Sequence, residues 1–232
     1  MSARRDDLVA RLEAAGDPER AAGQQRYMKS AMPFHGVAMP EVRRIATAVA
    51  RDHPFEDRAD WRRGTLEIWR EATHREQRYA ATRLAIAGSY RRWLDGAALP
   101  MIEEMIVTGA WWDHVDALAA EHMGSMLGND AERVRAVMWA WATDPMERDG
   151  ALWRRRTAIL CQLKARDRTD LDLLFHAIES SMTSTEFFLR KAIGWALRQH
   201  ARVDPDVVIA FVDRHESTLS GLSKREALTH LR

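Results

Sequence analysis

The sequence has little cysteine, with only Cys161 among 232 residues. A single cysteine excludes an intrachain disulfide and any zinc site built from a cysteine cluster. Cys161 lies in the apolar stretch 158–163, so we expect a small core residue and not a nucleophile. The nine histidines show no metal-ligand spacing. We therefore predict no metal site and no cofactor.

Long apolar runs are absent as well. No stretch approaches the roughly 20 consecutive apolar residues that a membrane-spanning helix needs. Residues 1–16 lack the apolar core of a secretory signal. We expect a cytoplasmic protein that does not act on a membrane.

Hydrophobic residues make up 46% of the chain and charged residues 30%. That balance is typical of a globular protein and excludes a mostly disordered chain. No linker rich in proline, glycine or serine interrupts the sequence, which is long enough for one well-buried core. The composition predicts a single domain, residues 1–232.

Net charge is only +1, but the basic residues are clustered. Residues 61–93 contain eight arginines against three acids, and residues 148–168 contain seven basic residues against two acids. Arginine suits phosphate because its planar fork donates two hydrogen bonds at once. An arginine-rich sequence can also reflect codon usage, so charge alone leaves nucleic-acid binding open.

Apolar residues recur at helical spacing of three and four along nearly the whole chain, and no run alternates as a strand would. Prolines fall where helices should begin. Pro40 suits a first helical turn, and Asp144-Pro145 and Asp204-Pro205 each place an acidic cap before a proline. The pattern predicts an all-α fold.

Pairs of these helices recur at intervals of about 40 residues, which is the period of HEAT-type repeats. Such pairs stack on their neighbours to form a curved solenoid. We therefore predict a HEAT-like solenoid with a concave face. A compact irregular helical bundle is the alternative.

Residues 109–116 contain the first chemically informative pair. Trp112 and Asp116 are four residues apart and share one helix face. An indole face beside a carboxylate suits a cation, because the ring attracts it and the carboxylate compensates its charge. Tryptophan beside an acid is also common in structural settings, so spacing alone leaves the role open.

Two later segments add candidates. Arg156 lies one helical turn from Leu152 and Leu160, close to the buried face, where it needs a phosphate, a carbonyl or an acid such as Asp116. We expect the neighbouring Arg154 and Arg155 to be exposed.

The segment 184–198 predicts a helix capped by Ser184, with Phe187 and Phe188 largely in the core. Gly194 in its interior is costly and suggests close packing. Trp195 follows it, and by itself fits a core residue.

Together these segments resemble the AlkD family of bacterial alkylpurine DNA glycosylases. The resemblance also covers Tyr-Met-Lys at 27–29, Pro-Phe-His-Gly-Val at 33–37, Pro-Glu-Val-Arg at 40–43 and Leu-Ser-Lys-Arg-Glu-Ala at 222–227. These motifs occur in order over nearly the whole chain. Residues 121–144, and 58–92 apart from their basic character, match poorly in detail.

The resemblance implies that the concave face of the solenoid is basic and binds duplex DNA. It also implies roles for individual residues. The family's catalytic aspartate matches Asp116, its active-site tryptophans match Trp112 and Trp195, and its active-site arginine matches Arg156. Arg156 would grip a backbone phosphate beside the lesion. The resemblance and the basic character together give further DNA-binding candidates, namely Tyr27, Lys29, Arg190, Lys191, Lys224 and Arg225.

The implied function is a monofunctional glycosylase. It would remove cationic N3- or N7-alkylated purines from duplex DNA without base flipping, leave an abasic site and act as a monomer. Bulky natural-product adducts are an alternative substrate. Two other functions stay open on the sequence: a non-catalytic module that binds DNA structure, and a protein-interaction scaffold.

Overall fold

The computed structural model describes residues 2–231, and the side chain of Ser89 lies outside that description. Within this range the chain is helical and contains no strand, which confirms the all-α prediction. No helix in it is both long and apolar enough to cross a membrane. The chain divides after Trp93 into two compact units. The single domain, the HEAT-like repeat and the concave basic face stay predictions.

The first unit is built from five α-helices and a short 3₁₀ helix. Their bounds are α1 (Ala3–Ala14), α2 (Pro18–Met28), α3 (Met39–Asp52), α4 (Arg58–Arg70), α5 (Arg75–Ala85) and the 3₁₀ helix Gly88–Trp93. α5 packs against α3 and α4, and α1 packs against all three. Trp61 is fully buried and donates its indole N–H to the Ala85 carbonyl, 3.1 Å away. As predicted, Pro40 lies in the first turn of α3.

The second unit continues with short 3₁₀ helices and nine α-helices among the described residues. Their bounds are α6 (Leu99–Gly109), α7 (Trp112–Ala117), α8 (Gly124–Asn129), α9 (Ala131–Ala142), α10 (Ala151–Leu160), α11 (Leu171–Glu179), α12 (Phe187–His200), α13 (Pro205–Arg214) and α14 (Gly221–Ala227). α10 is the central element, because α6, α7, α9, α11 and α12 all pack against it.

Three sequence predictions for this unit can be checked directly. Asp204 caps α13 by accepting the amide N–H of Val207, as predicted. Gly194 allows α12 to approach α14 closely, since an added Cβ would lie 2.5 Å from the Cβ of Glu226. The predicted helix start at Asp144-Pro145 is wrong, because α10 begins only at Ala151. The Asp144 carboxylate instead accepts hydrogen bonds from arginine side chains.

Candidate functional site: a carboxylate held by an arginine

The candidate site begins on α7, which starts at Trp112 with Trp111 as its N-cap, two residues after the left-handed Ala110. Trp112 and Asp116 lie one turn apart on this helix, as the sequence predicted. Just beyond Asp116 the helix widens into a π-helical segment, Leu118–Met123, before it continues as α8. Such segments occur often at functional sites. No pattern in the sequence predicted this segment.

Arg156 forms a bidentate ion pair with Asp116. Arg156 Nε donates to Asp116 Oδ1 over 2.7 Å, and Nη2 donates to Oδ2 over 2.9 Å. The third guanidinium nitrogen, Nη1, donates to the carbonyl oxygen of Phe188. Arg156 is therefore fixed between a side chain on α7 and the backbone at the start of α12.

Both partners of this pair are largely removed from solvent. The Arg156 side chain is 4% exposed, whereas the Asp116 side chain keeps 14% of its surface accessible. Sequence reasoning placed Arg156 near the buried face, and the structure confirms that. The internal partner considered from the sequence, Asp116, is the one observed.

Burial raises the pKa of the Asp116 carboxyl above its ordinary value of 3.8. The hydrogen bonds and positive charge of Arg156 oppose that rise, and the nearby Asp113 charge adds to it. Since each carboxylate oxygen accepts a charged N–H, we assign the pair as ionised at neutral pH. Asp116 is then a partly accessible anion that one arginine stabilises.

Aromatic rings surround Phe188, whose carbonyl oxygen accepts a hydrogen bond from Arg156. The Phe188 ring lies 5.4 Å from Trp111 and 5.2 Å from Trp153, measured between ring centroids. The Trp111 indole nitrogen is buried and has no hydrogen-bond partner among the described residues. Trp112 on α7 and Trp195 on α12 are each half-buried. Neither residue is fully buried.

Two expectations about neighbouring residues are wrong. Phe187 was expected in the core, but it is the first residue of α12 and is 58% exposed, whereas Trp111 and Trp153 pack against the next residue, Phe188. Arg154 was expected in solvent, but it is buried. It donates to Glu103 over 2.7 Å and to Asp144 over 3.1 Å, and these carboxylates compensate its charge.

The predicted cap of α12 also differs in detail. The N-cap position is Glu186, which makes no side-chain cap hydrogen bond. Ser184 Oγ accepts a hydrogen bond from the amide N–H of Glu186 over 3.2 Å, and Glu186 is the residue before the first residue of the helix. Ser184 therefore shapes the approach to α12 and is not its cap.

The four predicted DNA contacts of the second unit lie on α12 and α14. Three of them bind other groups: Arg190 donates to the Ser184 carbonyl, Lys191 pairs with Glu226 at 2.6 Å, and Lys224 donates to the Glu216 carbonyl. Arg225 is exposed.

The two predicted contacts of the first unit lie at the end of α2. Tyr27 is 76% exposed, and Lys29 is exposed in a left-handed conformation.

The structure also identifies a residue that sequence reasoning missed. Glu76, at the start of α5, is completely buried, and three backbone amides donate to its carboxylate.

Within residues 2–231, no group of three or more histidine, cysteine or acidic side chains is arranged to hold a metal ion. Cys161 is fully buried, as predicted. Burial raises the pKa of its thiol to about 12, so a thiolate is not available near neutral pH. Asp116, by contrast, is a partly accessible carboxylate one helical turn from Trp112.

Residues 8–231 match the model of a family described as DNA alkylation repair enzyme. This chain belongs to the DNA alkylation repair enzyme family. The resemblance noted in the sequence is thereby confirmed at the level of the family.

A solved structure supports the same assignment. It is described as a predicted DNA alkylation repair enzyme from Enterococcus faecalis, and the two chains are 29% identical. The match covers 93% of this chain and 96% of that one, with a TM-score of 0.74. A search among curated proteins returned no match. The DNA alkylation repair enzymes are thus the family in which the Asp116 site has to be understood.

Proposed function

We propose that this chain is a monofunctional DNA glycosylase. It hydrolyses the N-glycosidic bond of cationic N3- or N7-alkylated purines in duplex DNA, without flipping the base, and leaves an abasic site. The observation that carries the proposal is the Asp116 carboxylate, held by Arg156 at 2.7 and 2.9 Å and one helical turn from Trp112, in a chain of an alkylation repair family.

The chemistry follows from the charge on the lesion. An alkylated N3 or N7 purine is already positive, so the base leaves with the electron pair of the C1′–N bond and becomes neutral. Positive charge then develops on the deoxyribose. General-acid protonation of the base is unnecessary, which fits a site that offers a carboxylate and an arginine.

Asp116 stabilises the developing sugar cation as a fixed anion in a largely dry environment. Its accessible edge accepts a hydrogen bond from water, which attacks C1′ and releases a proton to solvent. The absence of base flipping is carried over from the resemblance to the AlkD family, so the proposed reaction includes no deep pocket for an extruded base.

Trp112 and Trp195 hold the cationic sugar and lesion against their ring faces. Each cation–π contact is worth about 0.5–2 kcal/mol. Arg156 acts first by fixing the orientation of Asp116, because all three of its nitrogens bind neighbouring groups. A phosphate contact by Arg156 stays a prediction, since its side chain is only 4% exposed.

DNA is held through its phosphates by basic side chains, which contribute affinity and position but no sequence information. The exposed Lys29 and Arg225 are suited to this role as they stand. Lys191 would exchange its ion pair with Glu226 for a phosphate. Duplex DNA with alkylated purines is the proposed partner of a monomeric protein.

The test is release of free base from defined DNA. Duplexes that carry a single N7-methylguanine, an N3-methyladenine or a bulky N7 adduct are incubated with the protein, and free bases are separated by chromatography. We expect free alkylpurine, with strand breaks only after alkaline treatment of the abasic product.

Tight binding that weakens with salt, but without base release, would contradict the proposal and favour a non-catalytic DNA-binding module. Strand cleavage before the alkaline step would contradict the monofunctional mechanism. Absence of DNA binding at low salt would overturn the DNA function altogether.

A further inference from the structure

The segment 30–38 follows the predicted DNA contacts Tyr27 and Lys29 and forms no helix. Three consecutive residues at the start of α5 bind this segment, and all are buried: Arg75 is 6% exposed, Glu76 0% and Gln77 1%. Surface connections rarely recruit three buried polar side chains. The contacts of these three side chains show how the segment 30–38 is held in place.

Glu76 makes the central contacts. One carboxylate oxygen accepts the His35 amide N–H over 2.9 Å, and the other accepts those of Gly36 and Val37 over 2.9 and 3.0 Å. Burying a carboxylate is costly unless hydrogen bonds replace its water. The three amides supply these bonds, and the positive end of the α5 dipole assists them.

Arg75 and Gln77 bind the segment on either side of these contacts. The Arg75 amide donates to the Pro33 carbonyl over 2.9 Å, and its Nη1 donates to Ser30 Oγ over 3.2 Å. Gln77 Nε2 lies 3.0 Å from His35 Nε2. The contacts extend from Ser30, next to Lys29, as far as Val37.

α2 binds the opposite edge of the segment. The Asp17 amide donates to the His35 carbonyl over 2.9 Å, and Arg20 Nη1 donates to the Gly36 carbonyl over 3.0 Å. Gly36 has a φ of +85°, and an added Cβ would lie 1.9 Å from the Asp17 carbonyl oxygen. The segment thus links the start of α5 to α2, the helix that ends with Tyr27 and Met28.

We infer that Glu76, supported by Arg75 and Gln77, is a positioning residue for DNA binding. It fixes the segment 30–38 so that Lys29 and Tyr27 meet the phosphate backbone of the duplex in one orientation. The inference rests on the proposed function. It adds a determinant that lies outside the Asp116 site and touches no DNA itself.

The experiment measures the salt dependence of binding to an undamaged duplex for wild type, Lys29→Ala, Glu76→Gln and the double variant. The slope of log K against log salt concentration is negative, and loss of one phosphate contact makes it shallower by about 0.9. We expect Glu76→Gln and Lys29→Ala each to weaken binding roughly five- to tenfold with this change in slope. The double variant should resemble the single ones, because both changes remove one contact.

Glu56→Gln is the matched control, since it removes the same charge from an exposed position of the same unit. It should leave the slope unchanged. Loss of a negative charge alone would strengthen DNA binding, so weaker binding by Glu76→Gln points to position and not to charge. Gln77→Met is a second variant that keeps the carboxylate, and it should shift the slope in the same direction. All variants are compared well below their thermal midpoints.

Additive slope changes in the double variant, or wild-type binding by both folded Glu76→Gln and Gln77→Met, would overturn the inference. If wild type still releases alkylpurines in that case, the proposed function stands without it. If wild type neither binds DNA nor releases base, both fail together.

Discussion

Glu76 in the first unit and Asp116 in the second unit are the two carboxylates on which the proposals rest, and they are held differently. Glu76 in the first unit is fully buried and bound by three backbone amides. Asp116 in the second unit keeps 14% of its side chain accessible and is bound by the side chain of Arg156. A carboxylate enclosed by backbone has no edge left for a substrate, whereas Asp116 has one.

The difference also concerns what mutation can remove. Glu76 is bound by backbone amides, which a change of side chain leaves in place unless the new residue is proline. The partner of Asp116 is a side chain and can be deleted. The properties of Asp116 should therefore respond strongly to changes at Arg156.

The largest expected effect comes from Arg156→Met, which leaves Asp116 buried without its partner. Breaking a buried ion pair costs about 3 kcal/mol, at the lower end of the usual range because Asp116 is partly accessible. For a chain of this length the thermal midpoint should fall by roughly 6–12 °C. Thermal unfolding followed by circular dichroism measures this. A midpoint within one or two degrees of wild type would show that the pair is not a stabilising contact.

A smaller effect is expected in the pH profile of base release. Asp116 must be ionised, and burial raises its pKa above 3.8, so the rate should fall on the acid side at a pH above the ordinary aspartate range. Arg156 lowers this pKa, so Arg156→Gln should move the acid limb to higher pH. Single-turnover rates on N7-methylguanine duplex give the profile. A limb that stays in place or moves to lower pH in this variant would contradict the electrostatic role of Arg156.

The smallest expected effect concerns His35, whose amide donates to Glu76. Burial and then the His74 charge lower the pKa of His35 from 6.5, and the charges of Glu76 and Glu13 oppose this. As pH falls below 6.5, the unfolded chain takes up a proton before the folded one, so stability is lost.

Urea unfolding at pH 7.5 and 5.5 tests this, since His35→Asn should lose less stability than wild type between the two values. His200→Asn is a useful counterpart, because burial also lowers the pKa of His200 in the second unit. Equal losses in wild type and His35→Asn would show that His35 does not contribute.

Local rules predicted a good part of this structure. The helical spacing, Pro40, Asp204-Pro205 and the close approach at Gly194 depend on a few residues near in sequence, and all are confirmed. The placement of Trp112 and Asp116 on one helix face belongs to this class. So does the burial of Arg156, which follows from its apolar neighbours one turn away.

The errors and omissions depend on partners far away in sequence. Arg154 is buried because Glu103 lies beside it, 51 residues earlier. Glu76 binds amides about 40 residues earlier, although an acid in the first turn of a helix is ordinarily explained by the helix dipole. Phe187 is exposed, whereas its neighbour Phe188 packs against Trp111 and Trp153, which are distant in sequence. No sequence rule gives these long-range arrangements.

The central claim is that the Asp116 carboxylate, as an anion, drives removal of a cationic base. Single-turnover release of N7-methylguanine from duplex DNA by wild type, Asp116→Asn and Asp113→Asn tests it most directly, because Asp113 is a second carboxylate on the same helix. We expect Asp116→Asn to be slower by about 10²- to 10³-fold, while Asp113→Asn stays close to wild type. Full activity in Asp116→Asn with unchanged DNA binding would contradict the account.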